Sequence, residues 1–272
     1  MLNSANLVDH RHQPARYGRI AVAALHHSDA QSTPSPRHQH ASGQLVVPLH
    51  GSMRCYVDDG IWMVPSQSAM WIPPDLPHSN HASPHSHFAF VFIDATALDL
   101  PDRPCTLAIS PMLREMILHL AQQPQTQAPD QHDAALIQVL LHQLSQQPRT
   151  PLNFALPADP ALHRVAEALI ADPADRRTLS HWAQACAMSE RTFTRRLRQH
   201  TGLSFARWRG QLHLIHALER LGDGDSVQSI SAQLGYDSVS AFITMFKKAL
   251  GKPPNQYRNS RSLESGSNKP PR

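Results

Sequence analysis

Cysteine is scarce in this sequence: Cys55, Cys105 and Cys186 are the three cysteines among 272 residues. Because they are odd in number and far apart, they argue against a disulfide framework and fit a reducing cytosol. Aromatic residues at 6% and charged residues at 17% are also sparse, but the 41% of hydrophobic residues still allows a substantial core. The length suffices for two ordinary domains.

Long hydrophobic runs are absent as well. The longest local candidates, residues 20–25 and 88–93, fall far short of the roughly 20 apolar residues that a membrane span needs. The first thirty residues contain several basic residues and histidines but no apolar stretch typical of a secretory signal. We therefore expect a cytoplasmic protein with no membrane partner.

The net charge of +4 conceals an uneven distribution. Residues 1–159 carry 8 basic and 12 acidic side chains (net −4), residues 160–259 carry 14 and 8 (net +6), and residues 260–272 carry 3 and 1 (net +2). Of the 19 histidines, 14 precede residue 160. An acidic half followed by a basic half indicates two domains with different partners, and the basic half suits a polyanion.

The first half contains short runs typical of β-strands, after a polar segment (residues 1–18) that we interpret as a flexible arm. These runs are residues 19–25, 44–50, 53–58, 61–64, 69–73 and 88–94. The pair Asp59-Gly60 favours a tight hairpin, and Pro-rich and Ser-rich breaks separate the other runs. Several short strands at close spacing predict a small barrel or sandwich over residues 19–110.

The pattern becomes helical after Pro111. Apolar residues recur at helical spacing in two segments within residues 111–147: Leu113, Met116, Ile117 and Leu120, then Leu136, Val139, Leu140 and Leu144. Two interpretations remain open, since these stripes can pack against the barrel or form a subunit interface. Residues 148–158 are interpreted as a linker.

Capping residues mark a series of helices over residues 159–258. Asp159 precedes Pro160 at a helix start, and Thr178, Ser189, Ser204 and Ser226 precede the next four helices. A last helix carries Phe242 and Phe246 and stops at Gly251, and residues 259–272 are expected to be disordered.

These helices contain an internal repeat. Leu179, Trp182, Ala183, Cys186 and Met188 correspond, 48 residues later, to Val227, Ile230, Ser231, Leu234 and Tyr236. With one added residue, Ser189, Phe193 and Leu197 correspond to Ser238, Phe242 and Phe246. Each copy is a short helix, a tight turn and a second helix, so the sequence predicts two helix-turn-helix units. Gly235 suits the second turn, whereas Ala187 in the first is less comfortable where φ is positive.

The second helix of the first unit carries a basic surface. With Phe193 and Leu197 inward, the side chains on the opposite face are Arg191, Thr194, Arg195 and Arg198. The arginine guanidinium group can donate two parallel hydrogen bonds to a guanine edge or a phosphate, and the threonine hydroxyl can donate to bases or to the DNA backbone. The alternative is an ordinary solvated basic face.

The segments ERTFTRRLRQHTGLSFARWR (190–209) and SVQSISAQLGYDSVSAFITMFKKALGKPPNQYR (226–258) resemble the DNA-binding domain of AraC/XylS transcriptional regulators. The resemblance covers about residues 160–258 and includes the order, the spacing, the TG-x-SF junction and the final P-x-x-Y. It implies two helix-turn-helix units, joined by a long helix, that enter successive major grooves about 34 Å apart.

The resemblance also implies which residues contact DNA. In the first unit the resemblance implies base contacts by Arg191, Thr194 and Arg195. The equivalent residues of the second unit are Val239, Ser240, Ile243 and Thr244. The second set departs from the polar, often Arg-bearing pattern of the family. We therefore predict that the first unit supplies most sequence discrimination, while the second mainly positions the domain through Ser238, Lys247 and Lys248 on phosphates.

Histidines in the first half form a second pattern. His38 and His40 are two residues apart, so on an extended strand both imidazoles point to the same side. With Gln44, and with His78 in the segment PPDLPHSN, the spacing resembles the two motifs of the cupin barrel over about residues 19–95. In that barrel two His, a Glu and a third His commonly bind a divalent metal. Gln44 stands in place of the Glu, and Asp75 stands where a glycine is usual.

Three interpretations of these residues remain open. His38, His40 and His78 can bind a divalent metal, which is the one candidate cofactor, although losing the carboxylate weakens such a site. Together with Gln44 they can instead line a metal-free effector pocket. Trp71 and Trp62 can form its apolar walls, although we expect at least one of the two to belong to the core. They can also be plain structural contacts.

Together these observations predict an α+β two-domain protein. The N-terminal domain is a cupin-like β-barrel with a helical dimerisation segment, and the C-terminal domain is all-α, with two helix-turn-helix units joined by a long helix. The expected function is sequence-specific transcriptional regulation, with double-stranded operator DNA, a small-molecule effector and a second copy of the chain as partners. RNA polymerase is a further candidate partner.

Two other functions compete with this one. A metal-dependent cupin enzyme, such as a dioxygenase or isomerase, can be fused to DNA-binding helices, but no carboxylate in the histidine motifs is well placed as a general base and no catalytic residues are identified. Alternatively, the N-terminal domain serves only for dimerisation. The expectation is a regulator that is not an enzyme.

Overall fold

The computed structural model describes residues 13–257, except for residues 30–32, 59, 66–67, 95, 98–99, 124–127 and 151. The chain divides into two compact units, and the boundary along the sequence lies between Leu152 and Asn153. Among the described residues, no helix combines the length and apolarity that crossing a membrane requires.

The N-terminal unit contains two antiparallel sheets. Its strands are β1 (Ala21–His27), β2 (Gly43–His50), β3 (Ser52–Val57), β4 (Gly60–Pro65), β5 (Ser68–Ile72), β6 (Ser79–Ala82), β7 (His87–Ile93), β8 (Cys105–Ala108) and the short β9 (Arg149–Thr150). The first sheet has the order β1-β7-β2-β5-β8-β9. In the second, β3 pairs with β4 on one side and β6 on the other.

Strand β7 shows how the first sheet separates two cores. Phe88, Phe90 and Phe92 face the space between the two sheets, where they pack with residues of both, among them Met53, Val64 and Met70. Ala89, Val91 and Ile93 face the opposite side and join a second apolar cluster. A strand buried on both faces is a continuous apolar run rather than an alternating one, and this explains the sequence FAFVFI.

Two helices cover the outer face of the first sheet. Helix α1 (Pro111–Gln122) and helix α2 (Gln131–Ser145) bury Leu113, Ile117, Leu120, Ile137, Leu140, Leu141 and Leu144 against it. The structure thus shows the packing role that was one of the two interpretations. Val139, expected in the apolar stripe, is instead exposed.

All six predicted strand runs form strands, but two expectations need correction. Pro14–Tyr17 form a 3-10 helix with Pro14 buried, so residues 13–18 are not a loose arm. The predicted linker contains β9 and β10 (Asn153–Ala155), and Phe154 within it is fully buried. Strand β6 begins directly after His78, where the sequence indicates a further strand region, whereas β8 has no predicted counterpart. Of the predicted hairpin turn, Asp59 lies outside the described residues, while Gly60 pairs with Val57 as the first residue of β4.

The C-terminal unit is helical. It contains α3 (Pro160–Ala171), α4 (Leu179–Ala185), α5 (Glu190–Thr201), α6 (Phe205–Gly222), α7 (Val227–Gln233) and α8 (Val239–Leu250). The side chains of Asp159, Thr178, Ser189, Ser226 and Ser238 accept hydrogen bonds from the first backbone N–H groups of their helices. Ser204 precedes α6 as expected but makes no such bond. The predicted tail, residues 259–272, lies outside the described residues.

The internal repeat is a structural repeat. Helices α4 and α7 both have 7 residues, and α5 and α8 both have 12. In the first turn the Met188 N–H donates to the Ala183 carbonyl at 2.9 Å, and in the second Tyr236 donates to Ser231 at 3.1 Å. The C-terminal unit therefore holds two equivalent helix-turn-helix units, with α6 between them.

Candidate functional site

Helix α5 presents the basic surface expected from the sequence. Ser189 caps the helix, and Phe193 and Leu197 anchor it because both are fully buried. On the opposite face Arg191, Arg195 and Arg198 are exposed and Thr194 is half-buried. These four side chains border one open groove together with Leu179 and Glu190. The structure thus brings all four predicted side chains of the first unit to one surface.

Arg196 belongs to the same helix but has a different role. Its guanidinium donates to the Asp159 carboxylate at 3.0 Å, which ties α5 to the start of α3. Desolvation raises the pKa of Asp159, but hydrogen bonds from the Leu162 and Ala161 N–H groups and from Arg196 outweigh it and lower the pKa overall. Because sequence spacing cannot distinguish Arg196 from its neighbours in this respect, this contact was not anticipated.

Helix α8 presents a less polar surface in the second unit. Phe242 and Phe246 are buried, Ser240 and Thr244 are exposed, and Val239 and Ile243 are half-buried on the outer face. The Thr244 hydroxyl donates to the Ser240 carbonyl at 2.8 Å. Ser238 caps the helix by accepting from the Ala241 N–H, and Lys247 and Lys248 are exposed in the last turn.

The second turn is docked onto the loop between α3 and α4. Arg176 donates through Nε to the Gly235 carbonyl at 3.0 Å and pairs with the Asp237 carboxylate. On α6, the buried His213 contacts the Tyr236 hydroxyl through Nδ1 at 3.0 Å. Burial, reinforced by the charge of Arg209, lowers the pKa of His213 to about 4. None of these contacts had a signal in the sequence.

The predicted histidines of the N-terminal unit come together. His38 and His78 form an antiparallel bridge, with backbone hydrogen bonds of 2.9 Å in both directions. One ring nitrogen from each of His38, His40 and His78 lies within 4.8 Å of the other two. The ring of His40 also contacts Phe92, whose side chain belongs to the core between the sheets.

The orientation of each imidazole in this group is set by a nearby carbonyl. The Nδ1 atoms of His38, His40 and His78 lie 2.8, 2.5 and 2.8 Å from the carbonyl oxygens of Pro36, Ser42 and Leu76. A carbonyl only accepts, so each Nδ1 carries the hydrogen and each neutral ring keeps its lone pair on Nε2.

Gln44 lies against two of these lone pairs. Its Oε1 is 3.0 Å from Nε2 of the fully buried His78 and 3.3 Å from Nε2 of His40. Burial lowers the pKa of His78 to about 3, and the neighbouring His38, His40 and Arg37 act in the same direction. Burial also lowers the pKa of His38. The His78 ring is therefore neutral at physiological pH, and burial favours the neutral form of His38 as well.

Two neighbouring residues have different outcomes: Asp75 has a backbone that fits its glycine-like position, whereas Trp71 does not lie where it was expected. Asp75 has φ of 57°, the left-handed conformation that favours glycine, and its N–H donates to the His40 carbonyl at 2.9 Å. Trp71, expected as a pocket wall, packs instead in the cluster beneath α1 and α2, where Nε1 donates to the Pro101 carbonyl. Trp62 lies between the sheets. The structure therefore does not bring Trp71 to the histidines.

Comparisons with known proteins agree with both units. The model of the AraC-like ligand binding domain matches residues 21–176, and that of a helix-turn-helix domain matches residues 182–260. The HTH-type transcriptional regulator NimR of Escherichia coli K12 is 43% identical over 257 residues, covering 94% of this chain and 93% of NimR. RipA of Corynebacterium diphtheriae, another HTH-type transcriptional regulator, is 30% identical over 116 residues, covering 43% of this chain and 35% of RipA.

Among solved structures, ToxT from Vibrio cholerae matches 88% of this chain and 94% of its own, with 10% identity and a TM-score of 0.37. The family matches and the near full-length relation to NimR, itself a transcriptional regulator, confirm a regulator rather than an enzyme. This chain belongs to the AraC family of DNA-binding transcriptional regulators and carries an AraC-like ligand-binding domain ahead of its helix-turn-helix units.

Proposed function

We propose that this regulator selects its operator mainly through α5, and that a ligand held by the N-terminal unit controls DNA binding. The observation that carries the first part is the surface formed by Thr194 and the exposed Arg191, Arg195 and Arg198. Bidentate arginine contacts to guanine are worth about 1–3 kcal/mol of discrimination each. At the equivalent places α8 offers no arginine, so most discrimination is assigned to α5.

A selection experiment tests this assignment. The full-length protein selects operators from random double-stranded DNA, and the binding of Arg195→Ala is then compared with that of Arg196→Ala. Both changes remove one positive charge from α5, but Arg196 is engaged with Asp159. We expect Arg195→Ala to lose about 10–100-fold in operator affinity and to tolerate other bases at one position, and Arg196→Ala to keep the preference. Loss of operator preference in Val239→Ala but not in Arg195→Ala would refute the assignment.

The ligand site of the N-terminal unit is assigned to His38, His40, His78 and Gln44. One ring nitrogen of each histidine converges there, and the Nε2 lone pairs of His40 and His78 repel the Gln44 amide oxygen unless a cation or hydrogen-bond donor lies between them. The site therefore suits a ligand that supplies N–H or O–H donors, or a divalent transition-metal ion, for which neutral imidazole is a good ligand. It disfavours anions.

Metal analysis distinguishes these ligands. Protein purified without an affinity tag is titrated with Zn²⁺ and Co²⁺, and His81→Ala serves as the control because His81 follows on β6 but lies outside the group. Stoichiometric uptake that is lost in His40→Ala supports the metal. Absence of uptake excludes a metal ion as the ligand and leaves a small molecule with hydrogen-bond donors. In that case the Gln44 amide nitrogen can face His40 and His78 while the site is empty.

The ligand would act by shifting a population between DNA-binding and non-binding arrangements. We assign the subunit interface to α1 and α2, since Met112 and Val139, the exposed large hydrophobic side chains of the described residues, lie on these helices. Operator affinity is measured with and without candidate ligands. If no ligand changes it while the protein is dimeric, the N-terminal unit serves only for dimerisation.

A further inference from the structure

We infer that α8 reads thymine methyl groups in the second half-site, through Val239 and Ile243, rather than only positioning the domain on phosphates. The inference rests on the proposed function to the extent that both second helices of the helix-turn-helix units must contact the operator. It assigns the second half-site a base requirement, namely 5-methylpyrimidines in the major groove.

Equivalent positions of the two helices carry different chemistry. Counted from the caps Ser189 and Ser238, the first, second, fifth and sixth positions of α5 hold Glu190, Arg191, Thr194 and Arg195. The same positions of α8 hold Val239, Ser240, Ile243 and Thr244. Two arginines and a glutamate are thus replaced by hydroxyl and aliphatic side chains, and none of the four is charged.

The outer face of α8 has few means of reading hydrogen-bonding base edges. Val239 and Ile243 have no donor or acceptor in their side chains, and the Thr244 hydroxyl donates to the Ser240 carbonyl within the helix. The C5-methyl of thymine is the one group in the major groove that an aliphatic side chain recognises. The chemistry of this face therefore favours thymine at the positions it contacts.

Val239 and Ile243 keep part of their side-chain surface in contact with water. On α8 the fully buried side chains are Phe242 and Phe246, whereas Val239 and Ile243 are only partly buried. Covering aliphatic surface that is exposed to water lowers the free energy of the system. Lys247 and Lys248 are exposed one turn further on and suit phosphates, so DNA is a better match for this face than an apolar protein surface.

Deoxyuridine provides a direct test, because it differs from thymidine only by the missing methyl group. The operator selected by the full-length protein is resynthesised with each thymine replaced singly, and the second half-site is identified as the one whose preferences survive in Arg195→Ala. Losing one buried methyl group corresponds to about a 4-fold loss of affinity. We expect this loss at one or two thymines of the second half-site.

Protein variants connect the methyl group to the side chain. Ile243→Ser or Val239→Ser should weaken binding to the thymine operator and lose the difference between thymine and uracil at one position. Ala249→Ser, at an exposed position of the same helix, should keep that difference. Circular dichroism confirms that each variant is folded.

Several outcomes would overturn the inference. The first is that replacing thymine with uracil has no effect anywhere in the second half-site, and the second is that a uracil effect persists in both serine variants. The third is that the serine variants change transcription without changing operator binding, because this face would then be a protein-docking surface. If no operator is selected at all, the proposed function fails. If an operator is selected but its methyl groups are irrelevant, this inference alone fails.

Discussion

Ala187 and Gly235 occupy the same position in the two helix-turn-helix turns, and both have a left-handed backbone, with φ of 52° and 70°. Glycine adopts this conformation without strain, whereas a residue with Cβ is strained there by about 1–2 kcal/mol. At Gly235 a Cβ would also lie 2.7 Å from the Ala174 carbonyl oxygen. The first turn therefore retains a strain that the second avoids.

Replacing Ala187 with glycine should stabilise the protein. Relief of strain exceeds the added entropy of the unfolded chain, so we expect a gain of about 0.5–1 kcal/mol in the free energy of unfolding. Urea denaturation of the full-length protein, followed by tryptophan fluorescence, measures it. The reciprocal change Gly235→Ala should destabilise. Equal or lower stability of Ala187→Gly would show that the first turn is not strained.

The turn was predictable from sequence because the two copies align and only one of them has glycine. The docking of the second turn by Arg176 was not, because an arginine in a polar loop gives no indication of its partner 61 residues later at Asp237. The repeat and the caps are local patterns, whereas this contact depends on how the helices pack.

A second prediction concerns Gly43 and Trp71 in the first sheet. A Cβ at Gly43 would lie 1.9 Å from the end of the Trp71 indole, and this ring is held by its hydrogen bond to the Pro101 carbonyl. We expect Gly43→Ala to lower the free energy of unfolding by about 2–3 kcal/mol, as overpacking does. Adding Trp71→Leu should recover part of this decrease, as measured by a double-mutant cycle. Strict additivity of the two changes would contradict the clash.

Trp71 also shows why the ligand site was only partly predictable. The run of residues 69–72 is apolar throughout, so alternation could not indicate which face each side chain takes, and Trp71 was placed with the histidines. The structure brings His38 and His40 together with His78. The i, i+2 spacing predicts a common side for the first two on an extended strand, whereas the place of His78 was implied by the resemblance to the cupin motifs. The carbonyl partners that set the Nδ1 hydrogens depend on turns that the sequence does not reveal.

His213 should make stability depend on pH. Its pKa is about 4 in the folded protein, against about 6.5 in an unfolded chain, so the unfolded state binds the proton more readily. The contribution is complete above about pH 6.5 and is lost progressively as the pH falls towards 4, by roughly 3 kcal/mol in total. The variant His213→Gln lacks this titration and should show a shallower decline in urea midpoint over this range. Parallel declines in both proteins would refute the assignment.

Val139 should affect assembly without affecting folding. This side chain is 48% exposed on α2, and Met112 on α1 is 51% exposed. If these helices form the subunit interface, a glutamate at position 139 must lose its hydration there. We expect Val139→Glu to weaken dimerisation at least tenfold in sedimentation equilibrium, and Gln138→Glu, at an adjacent exposed position, to leave it unchanged. A wild-type protein that is monomeric at all concentrations would exclude this interface.

The basic half of the chain should give DNA binding a steep dependence on salt. Removing the side chain that neutralises one phosphate reduces the slope of log K against log salt by about 0.9. Lys247 and Lys248 are exposed at the end of α8, and neither has a role in reading bases under the proposal. Lys248→Ala should therefore lower affinity equally for all sequences and reduce the slope by about 1, as measured by fluorescence anisotropy between about 50 and 200 mM salt.

Arg195→Ala should behave differently from Lys248→Ala, because a base contact changes discrimination more than it changes the salt slope. Arg196→Ala removes a charge of the same sign from the same helix and provides the control for net charge, since its guanidinium is bound to Asp159. If all three variants reduced the slope and the preference alike, the excess charge of residues 160–259 would act as a diffuse field. Distinct responses would instead assign a phosphate contact to Lys248 and a base contact to Arg195.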